Sequence, residues 1–394
     1  MPKILCLTSQ NLDGPAQGAV LRAQNVFNLL SRLGDVRLVL AGYHVTWDKP
    51  GPVCGGFELL RAIKFEPTRS ISLSDRLQHE LNPRFMNTDW KQARAEDRAW
   101  LLETVAQHDL VWVHGIHVAN GLGIWRWPNG VLDIDDIPSS VERSKLQRGQ
   151  GLKQKFVHQR QIFLWKRHER TLWERFNAVC VCSEPDRKLM AQPEKTFVVS
   201  NGFVKPEQVT RRAANPPQIG FVGNFAFPPN LEGVRWFVKE VWPLILKQFP
   251  QARLRLAGDR SQQENWPTNQ NIDALGWLKD VATEMAGWSL SVVPILSGGG
   301  TRVKIAESFG HRCPMVSTSL GAYGYDVKDG QELFLADNAA DFATKCIRLL
   351  NEPLTGEKLA TRAREKFDTN WTWEAQAGRV AAVVKSVSSH QNHK

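Results

Sequence analysis

Apolar positions along this chain of 394 residues follow two alternating spacings. Ile4-Leu5-Cys6-Leu7 is a continuous apolar run that reads as a short buried strand. A Gly/Pro loop over Asn11–Gly18 follows. Val26, Leu29, Leu30 and Leu33 then recur at i, i+3, i+4 and i+7, the stripe of a helix that Gly34 ends. Val36–Leu40 predicts the next strand. Strand, helix, strand in this order predicts a parallel sheet with helices on its faces.

Between Gly42 and Trp100 the pattern breaks down, and the Pro, Gly and polar content predicts loops and short helices. Strands are predicted again at Asp109–Val113 and Val131–Ile134. A long basic stretch from Ser140 to Phe176 is predicted helical, then a strand at Ala178–Cys182 with Ser183 as a helix cap, and a strand at Phe197–Val199. Residues 206–218 carry three prolines, two adjacent arginines and no period, which predicts a linker. The same grammar then restarts. Strands are predicted at Ile219–Val222, Arg253–Leu256, Leu290–Val293, Pro314–Ser317 and Phe334–Leu335. Helices are predicted through Val234–Ile245, Val303–Phe309 and Asp341–Leu350. The chain therefore reads as α/β, with two doubly wound halves; ligands in such sheets bind beyond the carboxyl ends of the strands.

Composition adds little: 42% apolar and 23% charged residues suit a globular protein. No apolar run reaches the ~18–20 residues of a membrane span, and the residues after Met1 do not form a signal peptide, so a cytoplasmic location is expected. The six cysteines are scattered through apolar runs and read as buried thiols; Cys180 and Cys182 lack the second close pair of a zinc knuckle. Charge says more. The net charge is +10, and residues 142–175 carry ten Lys/Arg against three Glu. With Phe156, Phe163 and Trp165 interleaved, this stretch predicts peripheral contact with an anionic surface such as the inner face of a membrane. The alternative is a solvated helix face, and no nucleic-acid-binding module is present.

The segment with the most chemistry is Pro294 to Glu307, PILSGGGTRVKIAE. A buried strand runs into Gly298, Gly299 and Gly300, then Thr301, and a helix begins at once. Glycines let backbone N–H groups approach a ligand, and a helix N-terminus favours phosphate. Arg302 and Lys304 are suited to charge-assisted bonds to a diphosphate, and Glu307 to two adjacent hydroxyls such as those of a ribose.

Gly298-Gly-Gly-Thr-Arg-Val-Lys-Ile-Ala-Glu-Ser-Phe-Gly310, followed by Pro314-Met-Val-Ser-Thr-Ser-Leu-Gly-Ala-Tyr-Gly324, resembles the donor-binding signature of family-4 (group 1) glycosyltransferases of the GT-B fold. Ile219–Phe237, Leu275–Asp280, Phe334–Asp337, Val199–Gly202 and Trp371–Glu374 resemble the same family. The resemblance covers nearly all of 219–375 and is looser before it. It implies two Rossmann-like domains facing across a cleft: an acceptor-side domain over 1–205, a nucleotide-sugar-binding domain over 219–375, and a C-terminal helix in 376–394 returning to the first. It implies transfer of a sugar, with retention, to a glycan or lipid-linked acceptor of cell-surface polysaccharide synthesis. No cofactor or metal is expected beyond the nucleotide-sugar co-substrate.

By this resemblance His114 contacts the donor sugar near the reacting carbon, with His117 a second candidate for that place. His114, Arg302 and Lys304 are the expected catalytic residues. Gly18, Gly223, Asn224, Gly298, Gly299, Gly300, Thr301 and Glu307 are expected around the nucleotide. Two departures stand out. The family's first motif Glu falls on Gly299, and the Arg and Lys that often follow Gly223 are replaced by Asn224 and Pro229-Asn230. Arg302 and Lys304 are left as the main phosphate cations. Asp133-Ile-Asp135 has the form of a metal motif from a different transferase fold; here Asp135 and Asp136 are expected to cap the next helix or face the acceptor. The competing readings are a degenerate GT-B protein kept as a binding partner, or a nucleotide-sugar epimerase, which needs no acceptor. A nicotinamide oxidoreductase is disfavoured because no G-x-G-x-x-G follows the first strand.

Overall fold

The computed structural model describes the chain except residues 15–17, 46–52, 68–70, 86–89, 147–150, 207–209, 299 and 390–394. The chain divides into two compact units, Met1–Gly202 with Trp373–Lys394, and Phe203–Thr372. The helices that bear on function are α1 (Gly18–Ser31), α2 (Leu73–Leu81), α3 (Pro138–Leu146), α4 (Leu152–Glu169), α5 (Pro228–Trp236), α6 (Val303–Gly310) and α7 (Trp373–Ser389).

The first unit contains β1 (Lys3–Thr8), β2 (Asp35–Gly42), β3 (Val53–Cys54), β4 (Phe57–Lys64), the small antiparallel pair β5 (Glu66–Pro67) and β6 (Lys91–Gln92), then β7 (Leu110–His114), β8 (Gly130–Asp133), β9 (Ala178–Val181) and β10 (Thr196–Val198). Its main sheet has the order β10-β9-β8-β7-β1-β2-β4-β3. All pairings are parallel except β3 with β4. The central strands are continuous apolar runs because helices cover both faces. Leu5, Leu7, Val111 and Val113 point to one core layer; Ile4, Cys6, Leu110 and Trp112 point to the other. Val380, Val383 and Val387 of α7 complete that second layer against Phe27 and Leu30.

One element departs from expectation. The irregular region after Gly42 holds β4, an eight-residue strand of the main sheet. Its sequence, FELLRAIK, mixes Glu58, Arg61 and Lys64 into the apolar pattern because only the short β3 lies beyond it at the sheet edge. The basic stretch predicted helical consists of α3, α4 and a short turn of helix at Leu172–Arg175.

The second unit contains β11 (Gln218–Val222), β12 (Arg253–Ala257), β13 (Ile272–Gly276), β14 (Leu290–Val293), β15 (Met315–Ser317) and β16 (Phe334–Leu335). They form one parallel sheet, β13-β12-β11-β14-β15-β16. Residues 210–217 lie along this unit: Arg212 and Ala214 donate backbone bonds to Ala286 and Gly287, and Arg211 donates to the carbonyls of Trp288 and Arg312. β11 and β14 are neighbours, so the loops leaving Val222 and Val293 emerge side by side at the carboxyl edge.

Candidate active site

In the second unit the loop after β14 reaches α6 through Gly298 and Gly300, with φ of +105° and +74°. Side chains other than glycine rarely adopt such angles, so the loop's path depends on them. Gly299 lies outside the described residues. Arg302 is buried at the start of α6; its Nη1 donates to the Gly300 carbonyl at 3.0 Å, and its own carbonyl accepts from the Tyr325 hydroxyl at 2.9 Å. The guanidinium is thus folded against the glycine loop that it would have to serve. Thr301 lies between them, half-buried.

Lys304 is half-buried on the first turn of α6. Its Nζ donates to Asn230 Oδ1 at 2.7 Å and lies 5.0 Å from the centre of the Phe221 ring. Burial, and then the neighbouring Arg302 charge, lower its pKa to about 7; Glu307 opposes this. Burial also holds the Glu307 carboxyl above its usual range, against the pull of Lys304. These are signs of charges gathered where little water helps.

The loop after β11 supports this arrangement. Asn230 is buried in α5 and links three elements: its Oδ1 takes Lys304, and its Nδ2 donates to the Asn224 carbonyl at 2.9 Å. Asn224 Oδ1 accepts the Ala226 N–H at 2.7 Å, so the Asn224 side chain shapes the turn. Gly223 packs so close that an added Cβ would lie 2.9 Å from Asn230 Nδ2. The structure therefore brings Gly223, Asn224, Arg302 and Lys304 together. Asn230, which the sequence reading treats only as a missing cation, is the residue that connects them.

In the first unit His114 ends β7, buried, with Nδ1 3.1 Å from the Thr8 hydroxyl at the end of β1. Its Nε2 makes no hydrogen bond among the described residues. Burial lowers its pKa; Asp133 and Asp135 oppose this and Arg22 adds to it. The ring lines a cavity of about 660 Å³ at the carboxyl ends of β1, β7 and β8. His117, Asp135, Asp136, Gln161, Trp165 and His168 line it too. His117 is exposed, with its ring edge-on to Trp165. Gly18 instead opens α1, where an added Cβ would meet nothing within 4 Å.

Asp133 faces away from metal chemistry because Arg22 claims it. Both side chains are fully buried, with Arg22 Nη2 2.5 Å from Asp133 Oδ1 and Nε 3.2 Å from both carboxylate oxygens. Arg22 Nη1 also donates to the Val199 carbonyl and to Asn201 Oδ1, at 2.9 Å each. Burial raises the Asp135 pKa, but Arg22, His114 and bonds from Cys182 and Asn201 outweigh it and leave that carboxyl low. The first turn of α3 is held by Glu169, which accepts the Ser139 N–H at 2.9 Å and its hydroxyl at 2.8 Å. Asp135 and Asp136, expected to cap this helix or face the acceptor, line the cavity. A signal for Arg22 was present: it stands four, seven and eight residues before Val26, Leu29 and Leu30, on the buried stripe of α1.

Two parallel Rossmann-like sheets, each presenting loops at its carboxyl edge, define the GT-B fold. Residues 216–352, within the second unit, match the family described as "Glycosyl transferases group 1". Sucrose-phosphate synthase from Thermosynechococcus elongatus has a similar structure: TM-score 0.66 at 14% identity, covering 99% of this chain and 100% of that one. Anabaena Alr3699/HepE, solved in complex with UDP, gives 0.64 at 14% identity over 98% of this chain and 100% of that one. These likenesses establish the fold alone. An uncharacterized 44.6 kDa protein in the cps region of Klebsiella pneumoniae is 27% identical over 137 residues, 32% of this chain and 35% of that protein. The match thus spans about a third of the relative's length.

Proposed function

We propose that the protein is a glycosyltransferase that moves a sugar, with retention, from a nucleotide-sugar donor to a glycan or lipid-linked acceptor in polysaccharide synthesis. The observation that carries this is the convergence of the glycine loop, the α6 N-terminus, Arg302, Lys304 and the Gly223 turn at one sheet edge of a group 1 domain. Structures of the Anabaena protein hold UDP or UDP-glucose, which supports a nucleotide-sugar donor here. The cps region of the Klebsiella relative supports the polysaccharide role. The cavity around His114 receives the acceptor in this reading. The basic stretch 142–175 gives peripheral contact with an anionic membrane; no described helix is long and apolar enough to cross one.

In this reading the bond from the anomeric carbon to the diphosphate oxygen breaks, and a bond from that carbon to an acceptor hydroxyl oxygen forms. The hydroxyl proton passes to the departing diphosphate. Positive charge grows on the sugar ring and negative charge on the leaving oxygen. Arg302, Lys304 and the helix N-terminus stabilise the second charge, and Glu307 holds the ribose.

The test has two parts. UDP-, GDP- and ADP-linked sugars are screened for thermal stabilisation, where a ligand at 100 times its Kd adds about 2.7 kcal/mol. One nucleotide class should stabilise the protein, and Glu307→Ala should remove most of that effect. Arg302→Ala should lower turnover by about 100-fold or more, the scale of losing a charge-stabilising group. Survival of turnover within a few-fold would refute the phosphate assignment. No stabilisation by any nucleotide sugar would favour a non-catalytic protein.

A further inference from the structure

Helix α2 has no buried residue, yet it is built to last: Ser72 and Asp75 form a reciprocal capping box at its start. Leu73, Leu77 and Leu81 recur every four residues, so they fall within about 80° of arc on one side. An amphipathic helix whose apolar stripe misses the core buries that stripe against something else. Helix α4 repeats the situation. Leu152, Phe156 and Phe163 fall within about 40° of arc. All six side chains are between 53% and 87% exposed.

The two helices are neighbours. Arg160 of α4 pairs with Glu80 of α2, and Arg167 donates to the carbonyls of Glu80 and Leu81 at the α2 C-terminus. Around the apolar residues α4 carries Lys153, Lys155, Arg160, Lys166 and Arg167 against Glu169 alone. Lys153, Lys155 and Lys166 are exposed, and Glu169 is turned inward onto Ser139. Exposed leucine and phenylalanine among exposed lysines suit a surface that is apolar beneath and anionic on top, which is an anionic lipid bilayer.

The same two helices wall the His114 cavity. His79 of α2 and Asn82, Pro83 and Phe85 just after it line one side, and Gln161, Leu164, Trp165 and His168 of α4 line another. Leu81 is next to Asn82 in the chain, and Phe163 is next to Leu164. The geometry points to α2 and α4 as a two-helix docking surface for anionic lipid, which sets the His114 cavity at the bilayer interface so that its acceptor is a saccharide on a lipid anchor. This rests on the transferase reading for the acceptor, and it adds α2 and the leucine stripe to the contact expected from charge.

The test is flotation of the full chain with phosphatidylcholine vesicles, with or without about a third phosphatidylglycerol, at low and high salt. Each protein is also checked for stabilisation by its nucleotide sugar. The wild type should partition at least tenfold better onto the anionic vesicles, and less so as salt rises. Leu73→Ser/Leu77→Ser/Phe156→Ser should lose tenfold or more of that partitioning with its nucleotide stabilisation unchanged. Lys153→Glu/Lys155→Glu should lose the preference for anionic lipid. Equal binding by the leucine variant overturns the proposal, as does a wild type that fails to float. A wild-type dimer in light scattering that the same triple variant converts to monomer also overturns it, because a second copy would then cover the stripe. Vesicle binding without any nucleotide stabilisation supports the docking surface and defeats the transferase reading instead.

Discussion

Lys304 ties the chemistry of the second unit to pH, and this can be measured without knowing the acceptor. Its pKa is lowered to about 7 by burial and by Arg302, against 10.5 for the ordinary side chain. At pH 8 about a tenth of the unliganded protein carries the charge. A bound diphosphate favours the ammonium and returns the pKa toward its ordinary value of ~10.4. Binding at pH 8 then takes up about 0.9 proton, and at pH 6 about 0.1. The sign follows: the complex binds more protons than the free protein, so affinity falls as pH rises through 7. The loss is about tenfold between pH 6 and pH 8, about 1.4 kcal/mol. The assay is titration calorimetry with the stabilising nucleotide sugar in two buffers of different ionisation enthalpy. An intact nucleotide sugar is used because its diphosphate is a diester with no proton to exchange near neutral pH. Glu307→Gln controls for the neighbouring carboxyl, whose pKa burial raises. An uptake below about 0.2 proton at pH 8, or the same uptake in Lys304→Met, refutes the reasoning.

Three further outcomes are expected. Arg22→Ala leaves a fully buried carboxylate without its partner and costs about 3–5 kcal/mol, read from chemical denaturation; Arg22→Met/Asp133→Leu recovers most of it. Gly220→Ala places a Cβ about 2.0 Å from the buried Trp288 ring and destabilises the second unit by about 3 kcal/mol, read as a lowered melting temperature. His114→Phe keeps an aromatic ring at the end of β7 but removes Nε2; turnover falls at least tenfold while nucleotide stabilisation, measured by thermal shift, is retained.

What the sequence displayed and what it hid follow from where each group finds its partner. Ile4–Leu7 and Leu110–Val113 are legible because a parallel strand covered on both faces is one apolar run. The glycine loop before α6 is legible because backbone at positive φ calls for glycine. β4 is hidden, since an edge position lets Glu58, Arg61 and Lys64 interrupt the pattern. Asn230 is hidden for another reason: its partner Lys304 is 74 residues away, and a buried amide has no period. The same holds for Arg22 and Asp133, 111 residues apart.

Yet each half of such a pair leaves a trace. Arg22 breaks the apolar stripe of α1, and Asp133 sits in the apolar run Val131–Ile134. Buried polar groups are bonded, and a buried charge needs an opposite one. Two such misfits of opposite sign, on elements that the parallel-sheet order brings together, must therefore meet: α1 leaves β1, and β8 lies two strands from β1 in the sheet. The rule also sorts the exposed misfits. Leu73, Leu77 and Leu81 break the polar character of their region in the opposite sense, and all three are exposed. An apolar stripe with no partner among the described residues of its unit asks the question that a lone buried charge asks, and here the lysines of α4 decide which kind of surface answers it.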